Sequence, residues 1–165
     1  MAKINFSDME NYIKKARIED KPTIHDFIQP YLNELSSFPD DSPDYKDKNG
    51  IYRYPYLDNY WQEDTRYPYL FFRGNKVTGF ALVSYYDGYW RMSEIFVFPE
   101  FRKLKVAFDC VTEIFKEHPG KWEIQFNKDN THSRSLWEKL ADKFSTGFVS
   151  HGSLDRNHDY IRFSV

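Results

Sequence analysis

The chain has 165 residues, with 23 Lys and Arg against 25 Asp and Glu, a formal net charge of −2 and one cysteine. That length predicts one domain over residues 1–165, burying roughly 70% of the surface of its unfolded chain, and the near-neutral charge supplies no general attraction to nucleic acid or an anionic membrane. A lone Cys110 can close no internal disulfide and build no zinc site; no apolar run reaches the ~18 residues of a membrane span, and the N-terminal stretch lacks a signal-peptide apolar core, so a cytoplasmic, soluble protein is expected.

In chain order, a short strand is predicted over residues 12–18. Asp20 with Pro22 behind it reads as a helix start, and Ile24, Phe27, Ile28, Tyr31, Leu32 and Leu35 continue at helical spacing. Pro30 is expected to kink that helix or end its first half. Residues 38–55 are polar, acidic and turn-rich and read as a loop, followed by a short helix over 56–63. The middle of the chain reads as β-structure: runs at 67–72, 77–86 and 89–98 are separated by Gly74-Asn75 and Asp87-Gly88, the signature of a three-stranded antiparallel meander. The period then changes, with Leu104, Ala107, Phe108, Val111, Ile114 and Phe115 forming a helical face closed by Pro119-Gly120. A strand over 122–126, an amphipathic helix over 131–144 and two strands over 148–151 and 160–165 complete the chain. The strand–helix–strand unit from 89 to 126 implies one parallel pair inside a mostly antiparallel sheet. The fold class is mixed α/β.

The stretch Ile95-Phe96-Val97-Phe98-Pro99-Glu100-Phe101-Arg102, followed at once by a helix, resembles the acetyl-CoA motif of the GNAT acyltransferases. Asp129-Asn130-Thr131-His132-Ser133-Arg134-Ser135-Leu136-Trp137 resembles the second cofactor segment of that family, and the element order matches as well. Tyr54-Pro55-Tyr56-Leu57-Asp58 is similar to a bacterial subgroup of acetyltransferases with poorly defined acceptors. The resemblance covers residues 12–165 and implies a GNAT-like mixed sheet with helices on both faces. It also implies acetyl-CoA as cosubstrate and transfer to a primary amine by direct attack in a ternary complex; a single domain with a short aromatic-lined loop and no long peptide groove points to a small-molecule acceptor.

In the family, a turn of the form Arg/Gln-x-x-Gly-x-Gly/Ala holds the pyrophosphate of the cofactor on the unpaired N–H groups of a helix N-terminus. Arg102, Lys105 and Ala107 match that pattern, with lysine in place of the middle glycine, and Lys103 and Val106 lie within it. Three cations at a helix start oppose the macrodipole unless an anion binds there; the competing reading is a solvated helix end in a relative that no longer binds CoA. The resemblance further implies that the backbones of Phe96 and Val97 meet the pantetheine arm, with Asn130 and Ser133 beside it. Asn130 is equally suited to cap a helix. Trp137 occupies the position at which many members carry a tyrosine acid; indole cannot supply that proton, and Trp137 reads as a wall beside the thioester.

The chemistry needs a base to take a proton from the amine. Glu94, adjoining the cofactor-lining strand, is the candidate; the alternative is an exposed ion-pair partner of Arg91 or a neighbouring lysine. Tyr54, Tyr56, Trp61 and Tyr86 are assigned to the acceptor, Tyr85 and Tyr89 to the same mouth. Asp40, Asp41, Asp44 and Asp47 precede the aromatic cluster, and acid with aromatic faces suits a cationic amine. The scattered histidines predict no metal site. The terminal strands offer an edge at which a second copy could pair as a homodimer. A non-catalytic member that binds CoA or a protein partner is the competing functional reading.

Overall fold

The computed structural model describes residues 9–41 and 46–165. Seven strands form one mixed sheet in the order β1-β2-β3-β4-β5-β7-β6: β1 (Asn11–Lys15), β2 (Arg66–Arg73), β3 (Lys76–Tyr86), β4 (Tyr89–Val97), β5 (Lys121–Asn127), β6 (Ser150–Ser153) and β7 (His158–Ser164). The helices are α1 (Lys21–Leu35), α2 (Val106–Glu117) and α3 (Thr131–Phe144). All strand pairs are antiparallel except β4 with β5, as the strand–helix–strand unit predicts.

The β2–β3–β4 meander forms where two-residue turns punctuate the β-rich runs. Asp87 and Gly88 both take positive φ (52° and 84°), the backbone that a tight hairpin turn requires and that Asp-Gly adopts readily. Alternation along these strands feeds two apolar layers. Leu70, Phe80, Leu82 and Phe96 meet Ile24, Ile28, Tyr31 and Leu32 of α1. On the opposite face Tyr69, Phe71, Ala81, Val83 and Met92 meet α2 and α3 through Val111, Ile114, Trp137 and Leu140. The helices therefore lie on both faces of the sheet.

Local details depart from the sequence reading. The first strand ends at Lys15, and exposed Ile18 begins a 3-10 turn over Ile18–Asp20 that leads into α1. α1 runs through Pro30 to Leu35; Pro30 is on the exposed side, where the Asp26 carbonyl it deprives of a donor is near water. The short helix reduces to a 3-10 turn over Asp58–Trp61. Leu104 ends another 3-10 turn, Pro99–Leu104, and α2 begins only at Val106 because Lys105 takes a left-handed backbone (φ 57°, ψ 24°). Phe148 is outside the sheet, 99% exposed, with β6 beginning at Ser150. Asp44 lies outside the described residues. No helix among the described residues is long and apolar enough to cross a membrane.

Two backbone features position the site. Gly79 lies opposite Val97, and a Cβ there would fall 2.1 Å from the Phe96 carbonyl oxygen, so only glycine lets β3 approach β4 this closely. Farther along, the pairing slips: Leu82 faces Glu94, while Val83 faces Met92. Ser93 is thus an extra residue in β4, a bulge. Without it Met92 and Glu94 would share a face; with it Met92 turns to the α2 layer and Glu94 follows Leu82 to the α1 side.

Candidate active site

The parallel pair β4–β5 is in register only at Trp90–Trp122 and Arg91–Glu123. Beyond that point the strands separate, and the edge of residues 95–97 turned towards β5 has no strand partner. A cavity of about 1310 Å³ opens there, bordered by Glu94, Ile95 and Val97 on one side and by Gln125 and Asn127 on the other. A pleated strand left without its neighbour presents unpaired N–H and C=O groups, so this gap can accept an extended polar chain from outside.

Glu94 borders the cavity on its α1 side. Tyr54 Oη donates to its Oε1 at 3.0 Å, and Tyr31 Oη donates to Oε2. Burial pushes the carboxyl up to about 7, against the two phenol hydrogen bonds that hold it down. Both tyrosine hydroxyls are in turn raised, first by burial and then by the Glu94 charge, so they remain donors at neutral pH. The carboxyl is therefore held by two neutral donors and poised at neutrality, the range in which a general base is most effective. The pairing with Arg91 considered from sequence does not form: Arg91 gives its Nη1 to Glu123 Oε1 at 2.5 Å.

Tyr31 went unassigned in the sequence, where it reads as one apolar position on the helix face. Its signal was a hydroxyl on that face, since a buried phenol needs a hydrogen-bond partner. Tyr54 and Tyr56 border the cavity with Glu94, as does Arg91. Trp61 does not join them; its indole N–H donates to the Ala16 carbonyl at 3.1 Å and it packs in the α1 layer. Tyr86, 69% exposed, borders a smaller adjoining pocket of about 460 Å³ together with Tyr85, Tyr56 and Arg91.

At the other end of the cavity are Arg102, Lys103 and Ala107. Arg102 donates Nε to the Val97 carbonyl at 2.9 Å and pairs with Glu34 of α1 at 2.7 Å, so an incoming phosphate would compete with Glu34 for it. Phe96 and Val106 have their side chains in the two apolar layers. The carbonyl of Phe96 is turned to Gly79 of β3, so the gap meets the backbone of Val97 and not that of Phe96, because backbone groups alternate sides along a strand. Lys105, just before α2, holds the left-handed position that glycine favours, and the first N–H groups of α2 have no acceptor within the helix. Asn130 does cap α3: its Oδ1 accepts from Ser133 N at 3.1 Å. Trp137 is buried and its Nε1 is spent on Ser133 Oγ at 3.1 Å. Asn130, Ser133 and Trp137 all border the cavity.

The segment after α1 reaches across the cavity to the far strands. Asn127 Nδ2 donates to the Pro39 carbonyl at 2.6 Å, and His158 Nε2 meets Asp41 Oδ1 at 2.6 Å while its Nδ1 faces Asp155. Asp40 and Asp41 thus border the cavity, whereas Asp47 accepts from Asn49, Ile51 and Arg53 within its own turn. Among the described residues, no group of three or more His, Cys, Asp or Glu is placed to hold a metal.

A family model described as the acetyltransferase (GNAT) family matches residues 32–141. The fold is similar to that of a GNAT-family acetyltransferase from Streptococcus agalactiae 2603, at 13% identity and a TM-score of 0.69 over 96% of this chain and 99% of that one. It is similar to the PaiA N-acetyltransferase of Thermoplasma acidophilum in complex with coenzyme A, at 13% identity and a TM-score of 0.65 over 95% and 100%. The ribosomal-protein-S18-alanine N-acetyltransferase from Escherichia coli aligns at 10% identity and a TM-score of 0.63 over 94% of each chain. No curated protein sequence matches the chain.

Proposed function

The chain belongs to the acetyltransferase (GNAT) family, and on that premise we propose that it transfers the acetyl group of acetyl-CoA to a primary amine of a small molecule, with Glu94 as general base. The observation that carries this reading is the carboxyl of Glu94, held by Tyr31 and Tyr54 and poised at about 7 on the wall of the cavity between β4 and β5.

Bound acetyl-CoA supplies the acetyl group as an activated thioester. The gap between β4 and β5 fits an amide-bearing arm, because the backbone of Ile95 and Val97 turned to that side lacks a strand partner. Lys103, Lys105 and the N–H groups of Val106 and Ala107 are suited to an anionic end, with Arg102 shared between it and Glu34. Asn130, Ser133 and Trp137 form the opposite wall. Glu94, ionised, accepts a proton from the acceptor's ammonium or amine at a carboxylate oxygen, while Tyr31 and Tyr54 keep that carboxylate oriented. Tyr54, Tyr56 and the carboxylates of Asp40 and Asp41 give the amine an aromatic and anionic approach.

The test is thiol release from acetyl-CoA with a library of primary amines, comparing the wild type with Glu94→Gln. Turnover should fall on the order of 100-fold or more with acetyl-CoA affinity nearly unchanged. Wild-type kcat/KM should rise with pH through about 7, the pH at which the base ionises, and lose that limb in the variant. Wild-type rates in Glu94→Gln would remove Glu94 from the reaction. Binding of acetyl-CoA without turnover of any amine would favour the non-catalytic reading, which the indole at Trp137, its N–H already spent on Ser133, supports.

A further inference from the structure

The strand registers align one row of polar residues across five strands: Arg66 of β2 is opposite Ser84 of β3, Ser84 opposite Arg91 of β4, Arg91 opposite Glu123 of β5 and Glu123 opposite Arg162 of β7. Directly opposed residues share a face, so three arginines and one glutamate stand side by side on the floor beneath the acceptor mouth. Glu123 is 2% exposed and serves both neighbours, Arg91 at 2.5 Å and Arg162 at 2.7 Å. One carboxylate between two guanidiniums leaves a positive charge over. Arg66 is paired with Glu63 from the preceding turn, and of the two arginines that share Glu123, Arg91 is the more buried and has an Nε buried with no hydrogen-bond partner. Buried donors are rarely left so.

Arg91 also borders both openings. It lines the cavity that holds Glu94 and the adjoining 460 Å³ pocket, which it shares with the Arg66–Glu63 ion pair and with Ser84 and Ser93. Those two serines are hydrogen-bonded to each other at 2.7 Å. Ser93 lies between the cation and the base along β4, with Ser84 beside it on β3. From Arg91 to Glu94 the strand advances by three residues, at most about 10 Å and less across the bulge.

We propose that the smaller pocket is the anion-binding half of the acceptor site, and that the acceptor is an amine that also carries a carboxylate. Its amine meets Glu94 and its carboxylate meets Arg91, with Arg66 and the serine hydroxyls beside it. The two charges of such a molecule lie roughly 7–10 Å apart, the span set by the strand. This inference rests on the acetyl-transfer reading above and assigns the substrate class to the same site. A guanidinium fork matches a carboxylate geometrically, and an analogue without the carboxylate leaves the surplus positive charge of the row unmatched.

The experiment compares aminocaproate, hexylamine and hexamethylenediamine as acceptors by thiol release from acetyl-CoA. These share one alkyl spacer and differ at the far end: anion, methyl or cation. The expected result is a kcat/KM for aminocaproate at least ~10-fold above both others, with Arg91→Gln and Arg66→Gln drawing the aminocaproate-to-hexylamine ratio towards one. Because Arg91 also holds Glu123, that variant is read beside Arg66→Gln, and the wild-type comparison stands without either. Hexylamine or the diamine turned over as well as aminocaproate would overturn the anion pocket and leave acetyl transfer standing. No thiol release with any amine would overturn both.

Discussion

Lys105 stands at a backbone position that suits glycine. Its φ of 57° puts a Cβ against the chain, at a cost of about 1 kcal/mol or more for a residue that is not glycine, asparagine or aspartate. The lysine at this turn holds the left-handed geometry nevertheless, and α2 starts at the next residue. Lys105→Gly should therefore stabilise the protein by about 1 kcal/mol, measured as a higher urea midpoint. The same change should weaken acetyl-CoA binding if the ammonium helps hold the pyrophosphate. A lower urea midpoint would mean instead that the side chain gains more than its backbone costs.

At the scale of elements, the site depends on how β3 seats β4. Gly79 lets the two backbones close up, and the Ser93 bulge then turns Glu94 to the α1 side, where helix and loop tyrosines converge on it. A methyl group at position 79 would meet the Phe96 carbonyl and the Val97 Cα, both backbone atoms that no rotamer change can move. Gly79→Ala should cost about 1–3 kcal/mol by overpacking, seen in chemical denaturation, and should also reduce turnover by displacing the strand edge at residues 95–97. Full stability with native turnover would show that the strand pair can part without disturbing the gap. Gly74 and Gly88 serve turns; Gly79 serves contact.

Across the whole molecule, the segment after α1 ties one half of the sheet to the other through Asn127, Asn157 and His158. His158 is raised above its ordinary value: burial opposes the charge, but Asp41 and Asp155 outweigh it. A raised folded-state value means that this contribution is complete below the unfolded pKa of about 6.5 and is lost as pH rises through the folded one. The stability advantage of wild type over His158→Gln should therefore shrink with increasing pH above neutrality, read from denaturation curves taken at several pH values. An advantage constant over that range would assign the link to uncharged hydrogen bonds. Because Asp41 borders the cavity, the same titration should loosen the segment that crosses the acceptor mouth.

What the sequence by itself determined are the features carried by local periodicity and short motifs. The meander follows from Asp-Gly and Gly-Asn between β-rich runs, α2 and α3 from apolar residues at helical spacing, and the parallel β4–β5 pair from the strand–helix–strand order. The family is legible for the same reason, since its motif is contiguous from Ile95 to Arg102. Glu94 could be nominated because it adjoins that motif. Tertiary structure alone decided what surrounds it. Tyr31 and Tyr54 are 63 and 40 residues away from Glu94 in sequence, and the face on which the three meet depends on one bulged residue that leaves no mark in the alternation of β4. Trp61 looked equally suited to the acceptor, but its indole went to Ala16. The row from Arg66 to Arg162 exists only in the strand registers, because long-range pairing is set by packing both layers of the sheet at once and not by any segment read alone.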